Sequence, residues 1–416
     1  MRVQLAVGSA ILLFIAGCST SVPLSAMPPL PTGPAYSGPA IPGLAQRPDW
    51  SQSIGPVVAA VAVDGSFAVV TGRIGSQELV VLDATTGKLL NRIPLPEAGS
   101  YINQPTLTSD VLGGRPVAVA RFEAHFPASG LSEARDQDAD LVVDASGKQV
   151  WTSRSGDEQH LVGGYIISGG VQQPFGFVNG NGPQTGTLTN VTTIAGTDGQ
   201  TVADLSGDPA HQLYAIVGKT ALVSEFDGQS GGEQLRGLDL TAQGKTAWTG
   251  ETDDSQLYGP VEEYLGSFGD TVLTDRESTA QQVIAEVRDA ASGKEIGSST
   301  GSSFACHVAT YDPDTDTVVC ASLAVAPEPL TAITLSSGKI DWQQPETRGL
   351  GVGTAAHGIT YLSAQSNGQA PDYVAIKDAT GQVIAENLVA APIAITADRV
   401  ALVSYAGSIL GFHLAT

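Results

Sequence analysis

Along residues 48 to 416, short runs of β-branched and apolar residues alternate with turns rich in Asp, Ser, Thr and Gly. One turn recurs: "LVVLDATTGKLL" at 79–90, "LVVDASGKQVW" from 141, "LDLTAQGKTAW" from 238, "VRDAASGKEI" from 287, and the weaker "ITLSSGKIDW" from 333 and "IKDATGQVI" from 376. The chemistry is that of a tight hairpin, in which Gly supplies a positive φ and the Asp side chain caps backbone amides. A β-branched run precedes each turn ("ELVVL", "DLVV", "TAIT") and a second short strand follows. No helical apolar period of useful length occurs, so the chain is all-β.

The glycines of these turns set a repeat. Gly87, Gly147, Gly199, Gly244, Gly293, Gly338 and Gly381 are spaced by 60, 52, 45, 49, 45 and 43 residues, a period typical of propellers. Each unit reads as four strands. "LYAIVG", "TALVSEF", "QLRGLDL" and "KTAWTGE" make one unit, and "EEYLGSF", "DTVLTD", "QVIAEVRD" and "KEIGSS" the next. Of the four tryptophans, Trp151, Trp248 and Trp342 each stand four residues after a marker glycine. Trp50 falls in the same phase if "RPDWSQSI" supplies the last strand of a unit whose other three, "APIAIT", "VALVSY" and "ILGFHL", end the chain. The ring would then close between its termini and leave no open edge. Seven internal units and one shared unit predict an eight-bladed β-propeller over residues 48–416. Seven blades is the alternative, because the unit at Gly199 is the faintest.

Asp-x-x-(x)-Gly-x-x-x-Trp at the turn between third and fourth strands resembles the tryptophan-docking repeat of quinoprotein-like (PQQ-repeat) propellers. That family includes pyrroloquinoline-quinone dehydrogenases and non-enzymatic, BamB-like lipoproteins. The resemblance covers most of the chain, but the motif is degenerate: Asn91, Ala203, Gly297 and Ala385 stand where Trp is expected, and the Gly338 unit lacks the Asp.

The N-terminus adds an address. "MRVQLAVGSAILLFIAGC" carries Arg2 and an apolar run shorter than the ~20 residues that span a bilayer, as in a signal peptide. Ile15-Ala16-Gly17-Cys18 resembles the bacterial lipobox. The resemblance implies cleavage before Cys18 and a diacylglycerol, with acyl chains such as palmitate, on its thiol. Residues 1–17 are thus expected as signal peptide and 18–47, with seven prolines from 19 onward, as lipidated Cys and extended tether. Cys306 and Cys320 remain, and in an exported protein an even pair favours a disulfide. They flank two strands about an Asp-Pro-Asp turn, which predicts a cross-strand bond.

A net charge of −22 with pI near 4.4 leaves no basic patch for nucleic acid. In a four-stranded meander, the turns between first and second and between third and fourth strands share one face. The second-to-third connections and the links between units share the other. Length variation concentrates on the second face, in 121–140 and 169–190. Those segments carry Arg121, Phe122, His125, Phe126, Phe175 and Phe177, residue types that anchor interfaces.

Enzymatic signatures are weak. "GQSGG" at 228–232 sits in a hairpin rather than a strand-to-helix elbow. "DPDTDT" at 312–317 and "DQDADL" at 136–141 begin like calcium loops without their glycine and glutamate. The six histidines lack metal-ligand spacing, so no metal or other cofactor is expected. The expectation is a non-enzymatic, monomeric propeller, lipid-anchored at the outer face of a bacterial membrane, serving as a protein-binding scaffold or envelope assembly factor. A small-molecule or glycan-binding propeller is the alternative. A PQQ-dependent dehydrogenase is the third, disfavoured because Cys306 and Cys320 are not adjacent.

Overall fold

The computed structural model describes residues 28–415 apart from 74, 96–103, 127–134, 154–157, 172–187, 207–210, 227–232, 251–262, 278–282, 302–305, 307, 322–328, 346–349 and 365–371. The strands form six four-stranded antiparallel sheets and one eight-stranded sheet. The larger sheet is two meanders, 159–204 and 211–249, joined where Leu188 pairs with Leu213. The sequence explains the regularity. The inner strands carry β-branched or apolar residues on both faces, as in Phe67, Ala68, Val69 and Val70, all of them buried, because a neighbouring sheet covers them on each side.

First strands of successive units touch around a ring. Val57–Val63 meets Thr106–Leu112 on one side and Pro392–Ile395 on the other, and Leu350–Ala356 meets both Val308–Asp312 and Pro392–Ile395. The core lies between sheets: one cluster joins Val61, Leu79 and Val81 to Leu107, Ala118 and Leu141, and another joins Leu273 and Val287 to Val318 and Ile333. This is the β-propeller arrangement.

The termini close the ring as the sequence predicts. Trp50–Ser53 runs antiparallel to Ser408–His413, with Trp50 opposite Gly411 and Ser53 opposite Ser408. Asp49 accepts from the His413 backbone N–H at 3.0 Å and pairs with His413 Nδ1 at 2.7 Å, clasping the two ends.

Tryptophan docking welds neighbouring units. The Trp50 indole N–H donates to Ala84 O at 2.8 Å, and Trp248 donates to Ala290 O at 2.8 Å. Trp342 donates to Asp378 O in the same way. Each ring lies across the next unit's marker glycine: a Cβ on Gly87 would fall 2.5 Å from the Trp50 ring, and Gly87 has a φ of 66°. Glycine is therefore required twice over, by conformation and by close approach. At the degenerate positions other residues adapt. Asn91 donates its amide to Gly147 O at 2.6 Å, and Gly297 packs backbone to backbone on Gly338. Trp151 departs from the expected docking role. It packs on Val142 and Leu161, and a Cβ built on Gly199 would meet nothing within 4 Å.

The expected tether is corrected in part. Residues 18–27 lie outside the described residues, but 28–47 are laid onto the closing sheet rather than extended away from it. Thr32 bridges Gln52, Gly33 N donates to Ser51 O at 3.2 Å, and Ser53 N donates to Pro31 O at 2.8 Å. Tyr36 stacks edge-on against Tyr405 and Phe412 at 5.0 and 5.7 Å. Ile41 and Leu44 are buried with Leu414 and Phe412, and the Tyr361 hydroxyl donates to Pro42 O. Few charges and several apolar side chains make this segment as suited to packing as to solvation. Each of Ile41 and Leu44 contributes about 1.5–3 kcal/mol of burial.

Candidate functional site

Two faces result. The short marker turns and first-to-second turns lie on one, called here the turn face. On the other, the loop face, the second-to-third connections run from Thr71 to Glu78, Phe126 to Arg135, Val171 to Leu188, Phe226 to Glu233, Glu277 to Val283, Ala321 to Pro329, Ala364 to Tyr373 and Tyr405 to Ser408. All seven marker turns between described strands are short, from Asp83 to Leu89 through Lys377 to Val383.

Beneath the loop face, at the seam between sheets 106–152 and 159–204, sits a buried polar cluster. Asp140, fully buried, receives Arg121 Nε at 2.7 Å and Nη2 at 3.0 Å. The pair spans directly opposed positions of Arg115–Phe126 and Arg135–Asp144. From the next sheet come the Leu161 N–H at 2.9 Å and His160 Nδ1 at 3.2 Å. Burial alone would raise the Asp140 carboxyl, but Arg121 and His160 outweigh it and hold it well below the usual carboxylate range. Asp138, two residues away on the same side, is pushed up by burial, with His160 and Arg121 opposing.

This constellation anchors rather than reacts. Ser153 lies beside Asp140 and His160, but its hydroxyl accepts from Asp140 N at 2.9 Å and donates to Gln159 O at 2.6 Å. It is engaged with backbone and offers His160 no nucleophile to activate. His160 Nε2 is buried with no hydrogen-bond partner among the described residues.

The predicted interface residues separate on inspection. Arg121 is held in the Asp140 pair, and Phe122 is buried in the core with Leu107 and Ala139. Neither stands in a solvent-facing loop, because 121–126 and 135–140 prolong the strand pair instead of forming one. His125 and Phe126 end their strand at the loop face. Phe175 and Phe177 lie outside the described residues, as do Cys18 and the whole "GQSGG" segment. "DQDADL" is strand rather than loop.

Two further findings concern residues read differently from sequence. Cys306 and Cys320 are bonded at 2.06 Å, yet Cys320 is opposed by Ala309, so the bond ties the strand to the chain just ahead of its partner. "DPDTDT" forms a turn whose first carboxyl, Asp312, is buried against Asp378 of the neighbouring sheet. Asp312 accepts from Asp314 N and Gly358 N, while Thr360 Oγ1 donates to Asp378 at 2.7 Å. Burial, with Asp312 adding, raises Asp378 to about 7. Spacing gave no sign of this pair, since it crosses units. Among the described residues no group of three His, Cys, Asp or Glu side chains could hold a metal ion.

No protein-family model matches this chain, and neither does any curated protein. Solved structures do. The C-terminal WD40 domain of Sif2 is 10% identical over 88% of this chain and 99% of that one, with a TM-score of 0.50. BamB from Moraxella catarrhalis is 14% identical over 88% and 100%, at 0.45. Sqt1 from Saccharomyces cerevisiae is 11% identical over 88% and 98%, also at 0.45. At such identities the likeness is one of fold, and this chain is a β-propeller.

Proposed function

We propose that the chain is an eight-bladed, lipid-anchored propeller outside the bacterial cytoplasm that binds a partner protein through its loop face, as a scaffold or envelope assembly factor. The observation that carries the reading is the asymmetry of the two faces. Marker turns are uniformly short, whereas the connections opposite vary in length around the same rigid ring. Variable loops on an invariant scaffold are the usual arrangement for recognition. Lipobox-like residues before Cys18 support the anchor, and the Cys306–Cys320 bond fits an oxidising compartment. The arrangement of Asp140, Arg121 and His160 supports a binding role over catalysis, because its groups are consumed in joining two blades beneath the loops.

The test is in-cell cross-linking and affinity capture of the full chain, beside Cys18→Ser and a deletion of 127–134. An Asn-Gly turn is left in place of 127–134, so that Phe126 and Arg135 stay opposed and the Arg121–Asp140 pair is spared. A protein cross-linked to the wild type and lost with the loop is the expected result. A partner retained by the loop deletion, or none at all, contradicts it.

A further inference from the structure

The strap formed by residues 31–44 determines where the chain leaves the ring. The strand Trp50–Ser53 runs from the turn face, where Trp50 meets Ala84, to the loop face, where Gly55 N donates to Gly407 O of the last second-to-third turn. The strap runs against it. Its first bonded residue, Pro31, pairs with Ser53 at the loop-face end. Tyr36 then crosses Tyr405 and Phe412, and Gly43 and Leu44 reach Ala415 and Leu414 on the turn face. The chain therefore departs from the outer rim of the loop face, although the first strand of the ring begins on the opposite side.

We infer that the strap holds the propeller with its loop face toward the membrane, so that the partner bound there is one seated in or on that membrane. The inference rests on the proposed anchor at Cys18. Thirteen residues, Cys18 to Leu30, separate the anchor from the strap. At most ~3.6 Å per residue, they reach about 45 Å. A chain free up to Arg47 would instead leave the turn face with more than twice that reach, and would impose no orientation.

The strap is built to stay down. Outside 31–34, where backbone pairing covers the edge of Trp50–Ser53, its apolar residues fill the seam between the last two sheets. At three other seams that position is filled by a docked tryptophan, and here the corresponding residue is Ala385. The strap, not charge, sets this orientation, because lysines are attracted to an anionic membrane surface and here lie on the opposite face. All seven lysines (88, 148, 219, 245, 294, 339 and 377) are exposed and lie at turns or strand ends of the turn face. Amine-directed chemistry from the aqueous side would thus meet the face turned away from the lipid.

The test uses the full chain expressed in a bacterial membrane and reconstituted in vesicles carrying a headgroup-linked energy acceptor. One variant, Ser76→Cys, places a donor dye on the loop face, and another, Lys219→Cys, places it on the turn face. With Cys306 and Cys320 bonded and Cys18 lipidated, each has a single free thiol. Transfer from position 76 should exceed transfer from position 219. The excess should be lost when Tyr36→Ala and Ile41→Ser free the strap, with unfolding curves run in parallel to show that the ring remains folded. Equal transfer, or more from position 219, in protein that is membrane-bound overturns this inference alone. Protein that fails to associate with membranes, and behaves as Cys18→Ser does, overturns the anchor as well.

Discussion

Replacing Arg121 by Met tests how the seam beneath the loop face is held. The substitution keeps the aliphatic volume and removes both charged donors to Asp140, a carboxylate with no solvent exposure. Breaking a buried pair in this way costs about 3–5 kcal/mol, because one charge is left uncompensated. The Leu161 N–H and the His160 ring remain on Asp140, which places the expected loss at the lower end, about 3 kcal/mol. Acidity gives the reasoning its sign. In the wild type the Asp140 carboxyl is depressed, so its contribution is full above the unfolded value near 4 and is lost as pH falls below it. Without Arg121, burial pushes the same carboxyl upward, and protonation relieves the variant at higher pH than the wild type. The stability gap should therefore narrow between about pH 7 and pH 4. Urea unfolding followed by tryptophan fluorescence at several pH values measures it, and Arg121→Met combined with Asp140→Asn should recover part of the loss. A cost below about 1 kcal/mol at neutral pH, or a gap that widens on acidification, would refute the assignment.

Other parts of the structure make separate commitments. Trp248→Ala should cost about 3–5 kcal/mol, since it removes a buried ring and its bond to Ala290 O. Trp151→Ala should cost clearly less by the same denaturation assay, because Trp151 does not dock on Gly199. Asp378 is raised to about 7 in the folded chain, so its contribution is full below the unfolded value near 4 and lost as pH rises through 7. Asp378→Asn should flatten that part of the stability profile, with melting temperatures at pH 5 and pH 8 closer together than in the wild type. Replacing both Cys306 and Cys320 by Ser opens a loop of sequence separation 14, and calorimetry should show a loss of about 3 kcal/mol.

Much of the fold was legible because its signal is local and repeated. Hairpin chemistry around Gly87, Gly244 and Gly293 marks the third and fourth strands, and the phase of Trp50 marks the strand that closes the ring. Local signals also misled. Seven prolines and few charges in 19–47 describe a chain that cannot form its own core, but not one that borrows another's. Ile41 and Leu44 are buried by Leu414 and Phe412, some 370 residues away. Arg121 and Phe122 have the residue types of interface anchors but stand inside the ladder, since the hairpin runs on past them. Ten paired positions, from Val117 opposite Asp144 to Phe126 opposite Arg135, carry that ladder beyond the repeat's usual length. The Asp140–His160 and Asp312–Asp378 contacts join different units, and a single sequence offers no periodicity that would pair them.

The most direct measurement of the central claim is loop-dependent cross-linking at the membrane. The full chain, the 127–134 deletion and Cys18→Ser should be compared in intact cells after their folding has been matched by unfolding curves. The account predicts one envelope protein cross-linked to the wild type, lost with the loop deletion and reduced when the anchor is removed. Recovery of the same partner by the loop deletion, at wild-type yield, would place binding elsewhere on the ring and contradict it.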